Sequence, residues 1–276
     1  MVLDPVISAR DALARHDAVL VDARPDAGAY AAGHVAGARH AQLERDLAAH
    51  VDDAARGGRH PLPEPPVFAA TLGRWGIAPD SHVVIYDDQG GASAASRLWW
   101  MLRAIGHGAV QVVDGGFAAL RAAGATITGD EPRVAPAPPY PLAALAGTAD
   151  IAEVERARSA GDRRVIDVRA AFRFRGDSDP FDPVAGHIPG ARNAPYADNL
   201  RPDGTFKPAG ELRAQLTAAL DGIAPAQTIV HCGSGVTACH TLLALDRAGL
   251  TGARLYVGSW SEWCRDPARA REPAGN

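Results

Sequence analysis

Short runs of apolar and β-branched residues alternate along the chain with longer segments in which apolar residues recur at helical spacing. The runs at 82–87 (His-Val-Val-Ile-Tyr-Asp) and 228–232 (Thr-Ile-Val-His-Cys) have the length and composition of buried strands. Amphipathic helical patterns follow them, at 95–106 and at 237–249. Strands that alternate with helices predict an α/β fold in which each sheet is mainly parallel and flanked by helices.

The sequence also contains an internal repeat. Residues 19–41 reappear as 165–195, each with an apolar run, then Asp-x-Arg, then Gly-His-x-x-Gly-Ala-Arg. The segments 83–117 and 229–260 match each other in the same way and at the same offset. A repeat of this length indicates two copies of one domain.

The domain boundaries follow from this repeat. A chain of 276 residues is long enough to form two cores. The stretch 125–147 is rich in proline and has no clear periodicity, as is typical of an extended, semi-rigid connector. We expect an N-terminal domain at 1–124, a Pro-rich linker at 125–147 and a C-terminal domain at 148–276.

Composition and charge exclude some functions. The net charge of −4 gives no basic field for a nucleic-acid backbone, so no nucleic-acid partner is expected. No apolar run is long enough to cross a bilayer, and the start lacks the pattern of a signal peptide, so a cytoplasmic protein without a membrane partner is expected. The three cysteines are odd in number and lack metal-like spacing, which argues against a disulfide framework and against a metal site.

One cysteine lies where a strand meets a helix. Cys232 ends the second buried run and begins the loop Cys-Gly-Ser-Gly-Val-Thr at 232–237. In a parallel sheet this place is at the carboxyl ends of the strands, where ligands bind. Gly233 and Gly235 let the backbone curl so that N–H groups form a cradle for an anion, which favours a reactive thiolate. The alternative is an inert buried thiol.

The repeat places an aspartate opposite this cysteine. Asp87 in the first copy occupies the position of Cys232 in the second. We therefore expect the N-terminal domain to lack the catalytic cysteine and the C-terminal domain to carry the chemistry.

Several motifs resemble those of the tandem rhodanese family, which includes thiosulfate and 3-mercaptopyruvate sulfurtransferases. The loop at 232–237 is similar to the mercaptopyruvate type, whereas thiosulfate-type enzymes typically carry basic residues at the positions of Gly233 and Ser234. A neutral loop with a hydroxyl suits a monocarboxylate better than the dianionic thiosulfate. The other motifs that carry the resemblance lie in both halves, at 58–63, 96–103, 186–191 and 258–263.

The resemblance implies two tandem rhodanese-like domains and a sulfurtransferase. Its reaction would move a sulfur atom from 3-mercaptopyruvate to a thiol or cyanide through a Cys232 persulfide, without a metal or organic cofactor. The implied partners are a small anionic sulfur donor and an acceptor such as thioredoxin, a small thiol or cyanide. The alternatives are a thiosulfate sulfurtransferase that uses the same cysteine and a non-catalytic sulfur-carrier or regulatory module.

The resemblance also assigns residues. His60 matches a histidine that in mercaptopyruvate-type relatives lies across the domain interface near the loop serine, here Ser234, so Cys232, Ser234 and His60 are the expected catalytic residues. Arg173 matches the arginine that holds the charged group of the donor, with a solvated surface charge as the alternative. The expected substrate-binding residues are Arg173, Gly233, Gly235, Val236 and Thr237.

Two neighbouring assignments stay open. Glu44 is a candidate for the acid behind His60, with a solvated helix face as its alternative and an ordinary hydrogen-bonded role as the alternative for His60. Mercaptopyruvate-type relatives often have a second arginine several residues after the first. Here the stretch 176–183 has no arginine, its charged residues are all aspartates, and Arg175 is the remaining candidate. The missing second arginine affects the assignment of the sulfur donor more than the assignment of the reaction.

Other residues are expected to be structural. Those in the Asp-x-Arg and Gly-His motifs occur in both copies, including the one without a cysteine, and we expect ion pairs beneath the loops; they are Asp22, Arg24, His34, Asp167, Arg169 and His187. Trp260, Trp263 and Cys239 are expected to pack in the core, and a surface or redox role is open for Cys264.

A different enzyme class also places a cysteine in an anion-binding loop. Cysteine phosphatases and arsenate reductases clamp a tetrahedral oxyanion with an arginine at the position that Ala238 occupies here. Its absence argues against phosphatase chemistry.

Overall fold

The computed structural model describes residues 3–272, which form two compact units. The described part of the first unit comprises residues 3–49, 62–146 and 202–206. That of the second unit comprises residues 50–61, 147–201 and 207–272. The domain boundaries inferred from the sequence remain a prediction, and their outer ends, residues 1–2 and 273–276, lie outside the described residues.

The first unit is built on a five-stranded parallel sheet with the order β1-β6-β5-β2-β4. A further pair of strands, β3 and β7, is antiparallel. The strands of this unit are β1 (Val6–Ile7), β2 (Val19–Asp22), β3 (His34–Val35), β4 (Arg39–His40), β5 (Val83–Tyr86), β6 (Val110–Val113) and β7 (Ile127–Thr128). Its helices are α1 (Ala9–Ala14), α2 (Ala27–Ala32), a π-helical turn (Leu43–Leu47), α3 (Pro65–Arg74), α4 (Ala94–Ala104) and α5 (Gly116–Ala122).

The second unit has a five-stranded parallel sheet with the order β10-β9-β11-β12-β8. Its strands are β8 (Thr148–Ala149), β9 (Arg164–Asp167), β10 (Arg192–Asn193), β11 (Thr228–His231) and β12 (Arg254–Tyr256). Its helices are α6 (Ile151–Ser159), α7 (Ala171–Arg175), a 3₁₀ turn (Tyr196–Asn199), α8 (Ala209–Leu220), a second 3₁₀ turn (Pro225–Gln227), α9 (Thr237–Arg247) and α10 (Ser259–Trp263).

The two sheets have the same topology. Strands β2 and β5 of the first unit correspond to β9 and β11 of the second, and in both units the central strand is followed by a loop and a helix. Asp87 directly follows β5, as Cys232 directly follows β11. The prediction of two repeated α/β domains with mainly parallel sheets is therefore confirmed.

Strand β11 is the middle of its sheet and is buried on both faces. All four of its residues are buried, and it pairs with β9 on one side, where Ile229 lies opposite Val165, and with β12 on the other. A strand in a parallel sheet that has helices on both faces is buried along its whole length. Ile229 and Val165 join Trp260 and Trp263 in one buried cluster. The carboxyl end of β11, with Cys232, is thus anchored to the core.

Residues 125–146 of the predicted connector are part of the first unit. Within it, β7 pairs with β3. The N–H groups of Ala137 and Tyr140 donate to the carbonyls of Gly73 and Ala69 at 2.9 and 3.0 Å, so this stretch follows α3. Backbone bonds of this kind give an extended segment a fixed path.

None of the helices formed within residues 3–272 combines the length and the hydropathy required to cross a bilayer.

Candidate active site

The backbone around Cys232 is held by the first turn of α10. The N–H of Cys232 donates to Ser259 Oγ at 3.2 Å, and its carbonyl accepts from the N–H of Trp260 at 3.0 Å. The carbonyl of Gly233 accepts from the N–H of Ser261 at 2.9 Å. Cys232 itself is 2% exposed. Its thiol therefore lies in a well-fixed loop at the carboxyl edge of the sheet.

The loop then turns tightly into α9. Gly235 has a φ of +74°, and a Cβ on it would overlap the carbonyl of Val257. Only glycine combines this conformation with this approach. Val236 is the N-cap residue and Thr237 the first residue of α9. The start of a helix presents N–H groups that have no partner within the helix, which suits an anion.

The corresponding loop of the first unit shows such a cradle occupied by a carboxylate. Asp87 is fully buried, and its carboxylate accepts from the N–H groups of Gln89, Gly91 and Ser93 at 2.9, 2.8 and 3.3 Å. Burial outweighs these three hydrogen bonds, which act to lower the pKa of Asp87, so that this pKa lies above its ordinary value. A loop at this place in the fold thus directs backbone donors at an acidic side chain.

His60 and Ser234 are in hydrogen-bond contact. His60 Nδ1 lies 2.8 Å from Ser234 Oγ, and Ser234 is 8% exposed. Although His60 comes early in the sequence, the stretch 50–61 is part of the second unit. The N–H of the preceding residue, Arg59, donates to Ser261 Oγ at 3.1 Å, which ties this stretch to α10. The structure therefore brings together the three residues predicted to be catalytic.

Arg173 projects from α7 and is held by the acidic stretch that follows. Its Nη2 lies 2.9 and 3.0 Å from the two carboxylate oxygens of Asp179, and 3.5 Å from Asp182. Its guanidinium also lies 5.0 Å from the ring centroid of Phe181. The acids at 176–183, which have no counterpart in the expected pattern, thus bind and orient the predicted donor-binding arginine.

A second guanidinium, which the sequence analysis did not select, lies beside the loop. A Cβ on Gly233 would be 3.2 Å from Arg173 Nη2 and 3.3 Å from Arg59 Nη2. Arg59 Nη1 is also paired with Asp182. The motif at 58–63 contains Arg59, but nothing in its local pattern distinguishes it from a surface arginine. Its neighbourhood depends on contacts between segments far apart in sequence.

Asp182 links several of these arginines. Its side chain is fully buried and pairs with Arg59, with Arg173 and, at 2.9 Å, with Arg265. A buried carboxylate without partners would cost several kcal/mol, and these ion pairs offset that cost for Asp182. Arg265 also donates to the carbonyl of Ser261 at 2.6 Å, which holds it just beyond the C-terminal end of α10.

The Asp-x-Arg motifs form buried ion pairs, as expected. Arg24 lies 2.7 Å from Asp22, and Arg169 lies 2.6 Å from Asp167. Burial by itself lowers the pKa of Arg169, but the carboxylates of Asp167 and Asp179 outweigh it and raise the pKa above its ordinary value. The guanidinium stays charged beneath the loop.

The histidines of the Gly-His motifs are stacking residues. His34 lies against Tyr30, with ring centroids 3.9 Å apart, and His187 against Phe174, at 3.8 Å. Both observations fit the structural role expected for them.

The remaining residues of interest lie in the core or at the surface. Trp260, Trp263 and Cys239 are fully buried, which confirms that they pack. Cys264 is 1% exposed, so the surface role left open for it is wrong, and burial followed by the charge of Asp182 raises its pKa. Among the outer residues, Arg175 pairs with Asp177 at 2.6 Å, and Glu44 is exposed on the π-helical turn.

Comparison with known proteins agrees with this architecture. The family model of the rhodanese-like domain matches residues 7–123 and 150–266. The chain belongs to the rhodanese-like family. Its members among curated proteins include a probable 3-mercaptopyruvate sulfurtransferase from Pseudomonas aeruginosa, which is 45% identical over 93% of both chains. A putative thiosulfate sulfurtransferase, SseB, from Mycobacterium tuberculosis is 43% identical over 87% of this chain and 84% of its own length.

Solved structures of related proteins have a similar fold. The 3-mercaptopyruvate sulfurtransferase from Leishmania major superposes with a TM-score of 0.81 at 32% identity, over 95% of this chain and 75% of the other. SseA from Escherichia coli, described as a 3-mercaptopyruvate sulfotransferase, gives a TM-score of 0.75 at 30% identity, over 94% of this chain and 100% of the other. The predicted rhodanese fold and the predicted enzyme class, a sulfurtransferase, are therefore both confirmed.

Proposed function

We propose that this protein transfers sulfur from 3-mercaptopyruvate to a thiol or to cyanide through a persulfide on Cys232. The observation that carries the proposal is the hydrogen bond between His60 Nδ1 and Ser234 Oγ, two residues beyond the cysteine, in a loop whose other side faces Arg173. A proton relay beside an arginine fits a donor that has a carbonyl next to a carboxylate. The relatives from Pseudomonas aeruginosa and Leishmania major, a probable and a named 3-mercaptopyruvate sulfurtransferase, support the same donor.

In the first half-reaction the Cys232 thiolate attacks the thiol sulfur of 3-mercaptopyruvate. An S–S bond forms, the C–S bond breaks, and its electron pair passes to the carbon skeleton as the enolate of pyruvate. The sulfur keeps its hydrogen, so Cys232 becomes a persulfide. Ser234 and His60 supply the proton that turns the enolate into pyruvate.

In the second half-reaction an acceptor thiolate attacks the outer sulfur of the persulfide. Cys232 leaves as a thiolate, and the acceptor carries the sulfur away as a new persulfide; with cyanide the product is thiocyanate. In both half-reactions we assign the loop backbone at Gly233, Gly235, Val236 and Thr237 to bind the donor and the negative sulfur. Arg173 holds the carboxylate of the donor.

Thiosulfate is the second candidate donor, with sulfite as the leaving group and the same cysteine. Gly233 and Ser234 supply no positive charge, which favours a monocarboxylate. The guanidinium groups of Arg59 and Arg173 next to Gly233 are nevertheless suited to anions of either kind. A non-catalytic carrier or regulatory module would load Cys232 without steady-state turnover, and the enzyme class of the relatives argues against it.

The decisive experiment measures kcat/KM for 3-mercaptopyruvate and for thiosulfate. We expect the larger value for 3-mercaptopyruvate, and mass spectrometry after incubation should find one added sulfur on the peptide that contains Cys232. Cys232→Ser should abolish turnover, while Cys239→Ser, a change at another buried cysteine, should preserve it. Full activity of Cys232→Ser would refute the mechanism.

The acceptor and the location belong to the same proposal. We assign a thiol acceptor, such as thioredoxin or a small thiol, because the outer sulfur of a persulfide reacts with thiolates. Cys232, Cys239 and Cys264 are buried and form no disulfide bond within the described residues, as is typical of proteins in a reducing compartment such as the cytoplasm.

A further inference from the structure

We propose that the first unit has a binding site for a small monocarboxylate, in a cavity that contains the guanidinium of Arg39. This site goes beyond the proposed function, because no residue of the cysteine loop takes part in it.

The cavity is bordered by α2, β4 and the residues at 131–134. It has a volume of about 400 Å³, which is within the range of sites for small organic molecules. Such sites combine apolar walls with a few polar groups that orient the ligand. Here the walls include the apolar side chains of Ala31, Trp75 and Val134 and the charged side chains of Arg39, Arg45 and Glu131.

Arg39 is held in place but lacks an acidic partner. Its Nε donates to the carbonyl of Trp75 at 3.0 Å, and its Nη1 donates to the carbonyl of Gly37 at 2.9 Å. Its Nη2 has no hydrogen-bond partner among residues 3–272. The side chain is half-buried, and burial lowers the pKa of Arg39, as expected for a cation that is not paired with a carboxylate.

The internal repeat shows what the equivalent arginine of the second unit binds. Arg192 follows the same Gly-Ala motif as Arg39 and begins β10, which pairs with β9 as β4 pairs with β2. Arg192 Nη1 donates to the carbonyl of Ala218 near the end of α8 at 3.1 Å, and its Nη2 lies 3.2 Å from the carboxylate of Asp221. The second unit thus supplies this arginine with both a helix end and a carboxylate.

The first unit has a glycine where the second unit has that aspartate. Gly76 and Asp221 each follow the end of a helix, are related by the same offset as Asp22 and Asp167, and have φ values of +71° and +51°. A Cβ on Gly76 would lie 3.8 Å from Arg39 Nη2. A carboxylate from solution at this place would form the charge-assisted hydrogen bond that the chain itself provides in the second unit.

The stretch that follows β7 explains why the first unit does not carry its own carboxylate here. A Cβ on Gly76 would lie only 2.8 Å from the carbonyl oxygen of Ala135 and 3.3 Å from Val134. The close approach of this backbone leaves no room for a side chain at position 76. The same stretch lines the cavity, so it excludes an internal partner of Arg39 and encloses the space for an external one.

The other charges around the cavity favour a monoanion. Arg45 is paired with the buried carboxylate of Asp46 at 2.7 Å. Glu131 is exposed, and burial followed by the charge of Glu131 raises the pKa of Tyr30, another lining residue, to about 12. The field of Glu131 therefore reaches the cavity wall and would repel a second negative charge on a ligand.

The test uses 4-fluorobenzoate, a monocarboxylate with an apolar ring, and its neutral analogue 4-fluorobenzamide. Titrations followed by fluorine NMR give a dissociation constant for each probe. We expect wild-type protein to bind the benzoate about tenfold more tightly than the amide, because only the benzoate forms a charge-assisted hydrogen bond with Arg39. Equal affinities, or no binding of the benzoate, would overturn the proposal.

The repeat provides a matched pair of variants. Arg39→Gln should weaken binding of 4-fluorobenzoate about tenfold, whereas Arg192→Gln removes an arginine that already has a carboxylate and should leave the affinity at the wild-type value. An equal fall in both variants would refute a site at Arg39. An unchanged affinity in Arg39→Gln would place the probe elsewhere, for example beside Cys232, and would refute it as well.

A second variant covers the case in which Arg39→Gln fails to fold because the bonds to Trp75 and Gly37 are lost. Glu131 is exposed, so Glu131→Gln should leave the fold intact. It should strengthen binding of 4-fluorobenzoate about threefold, because the repulsion between an exposed carboxylate and the probe is removed. The gain should be larger for the dianion 4-fluorophthalate. Unchanged affinities for both anions in Glu131→Gln would overturn the proposal.

Discussion

At the scale of single residues, some side chains of the site can be predicted from sequence motifs and others cannot. Cys232 and Ser234 belong to one continuous loop motif, and His60 lies in a second short motif, so each could be found by pattern. Arg59 and Asp182 could not, because their roles depend on contacts among residues 57–60, 177–183 and the loop. Those contacts exist only in the folded chain.

The relay between His60 and Ser234 gives a prediction at this scale. Ser234→Ala and His60→Asn should each slow sulfur loading from 3-mercaptopyruvate by about 100-fold, because a general acid contributes about that much to proton transfer. Loading from thiosulfate produces sulfite without protonation of carbon, so it should fall much less. Single-turnover rates with the two donors measure the difference. Equal losses with both donors would contradict a relay that serves the carbonyl end.

At the scale of elements, strand β11, the loop at 232–237 and helix α9 together fix the position of the cysteine. The alternation of apolar runs and helical patterns was enough to predict β11, α9 and the parallel sheet. The path of the stretch 125–147 along α3 was not predictable, because it is set by backbone bonds to Gly73 and Ala69 rather than by its own pattern.

Two glycines of the loop provide a matched pair of variants. Gly235→Ala places a Cβ in a left-handed conformation against the carbonyl of Val257, so it should lower the free energy of unfolding by about 1–3 kcal/mol. On Gly233 the nearest atoms to a Cβ are the ends of the Arg59 and Arg173 side chains, which can move. Gly233→Ala should therefore keep its stability and raise KM for the donor. Urea unfolding and steady-state kinetics test the pair; equal stability losses would argue against the strain at Gly235.

At the scale of the whole molecule, the duplication separates what the fold needs from what the reaction needs. Both units keep a buried Asp-Arg pair, while the cysteine occurs only after β11. The repeat in the sequence was sufficient to predict this division. It could not predict that residues 50–61 and 202–206 each group with the other unit, since that depends on tertiary packing.

The buried pairs predict a loss of stability in either unit. Asp22→Asn and Asp167→Asn each leave a buried arginine without its main partner, which should cost about 3–5 kcal/mol. Both variants should have lower unfolding temperatures than the wild type. In the Asp22 variant, iodoacetamide should alkylate Cys232 at the wild-type rate. A fall of that rate in Asp22→Asn would contradict the division of roles between the repeats.

The pair of Asp167 and Arg169 also makes the stability of the protein depend on pH in the acid range. Burial opposes ionisation of Asp167, but His231 and Arg169 outweigh it, so its pKa lies below the ordinary value. A carboxylate with a lowered pKa contributes stability above its unfolded pKa of about 4, and this contribution is lost as the pH falls toward the folded value. Asp167→Asn should therefore flatten the decline in unfolding temperature below about pH 4. An identical decline in the variant and the wild type would assign it to other carboxylates.

The side chain of Asp87 fills the loop of the first repeat, because the carboxyl group that this loop binds is part of the chain. In the second repeat Cys232 takes the place of that carboxyl group, and the loop holds the additional sulfur only after a donor has delivered it. Loading of sulfur would then also stabilise the folded loop, so the persulfide form of the protein should unfold at a higher temperature than the free-thiol form. Unfolding temperatures of the persulfide and free-thiol forms, with Cys232→Ser as the form that cannot be loaded, would reveal whether the enzyme is stabilised by its own intermediate.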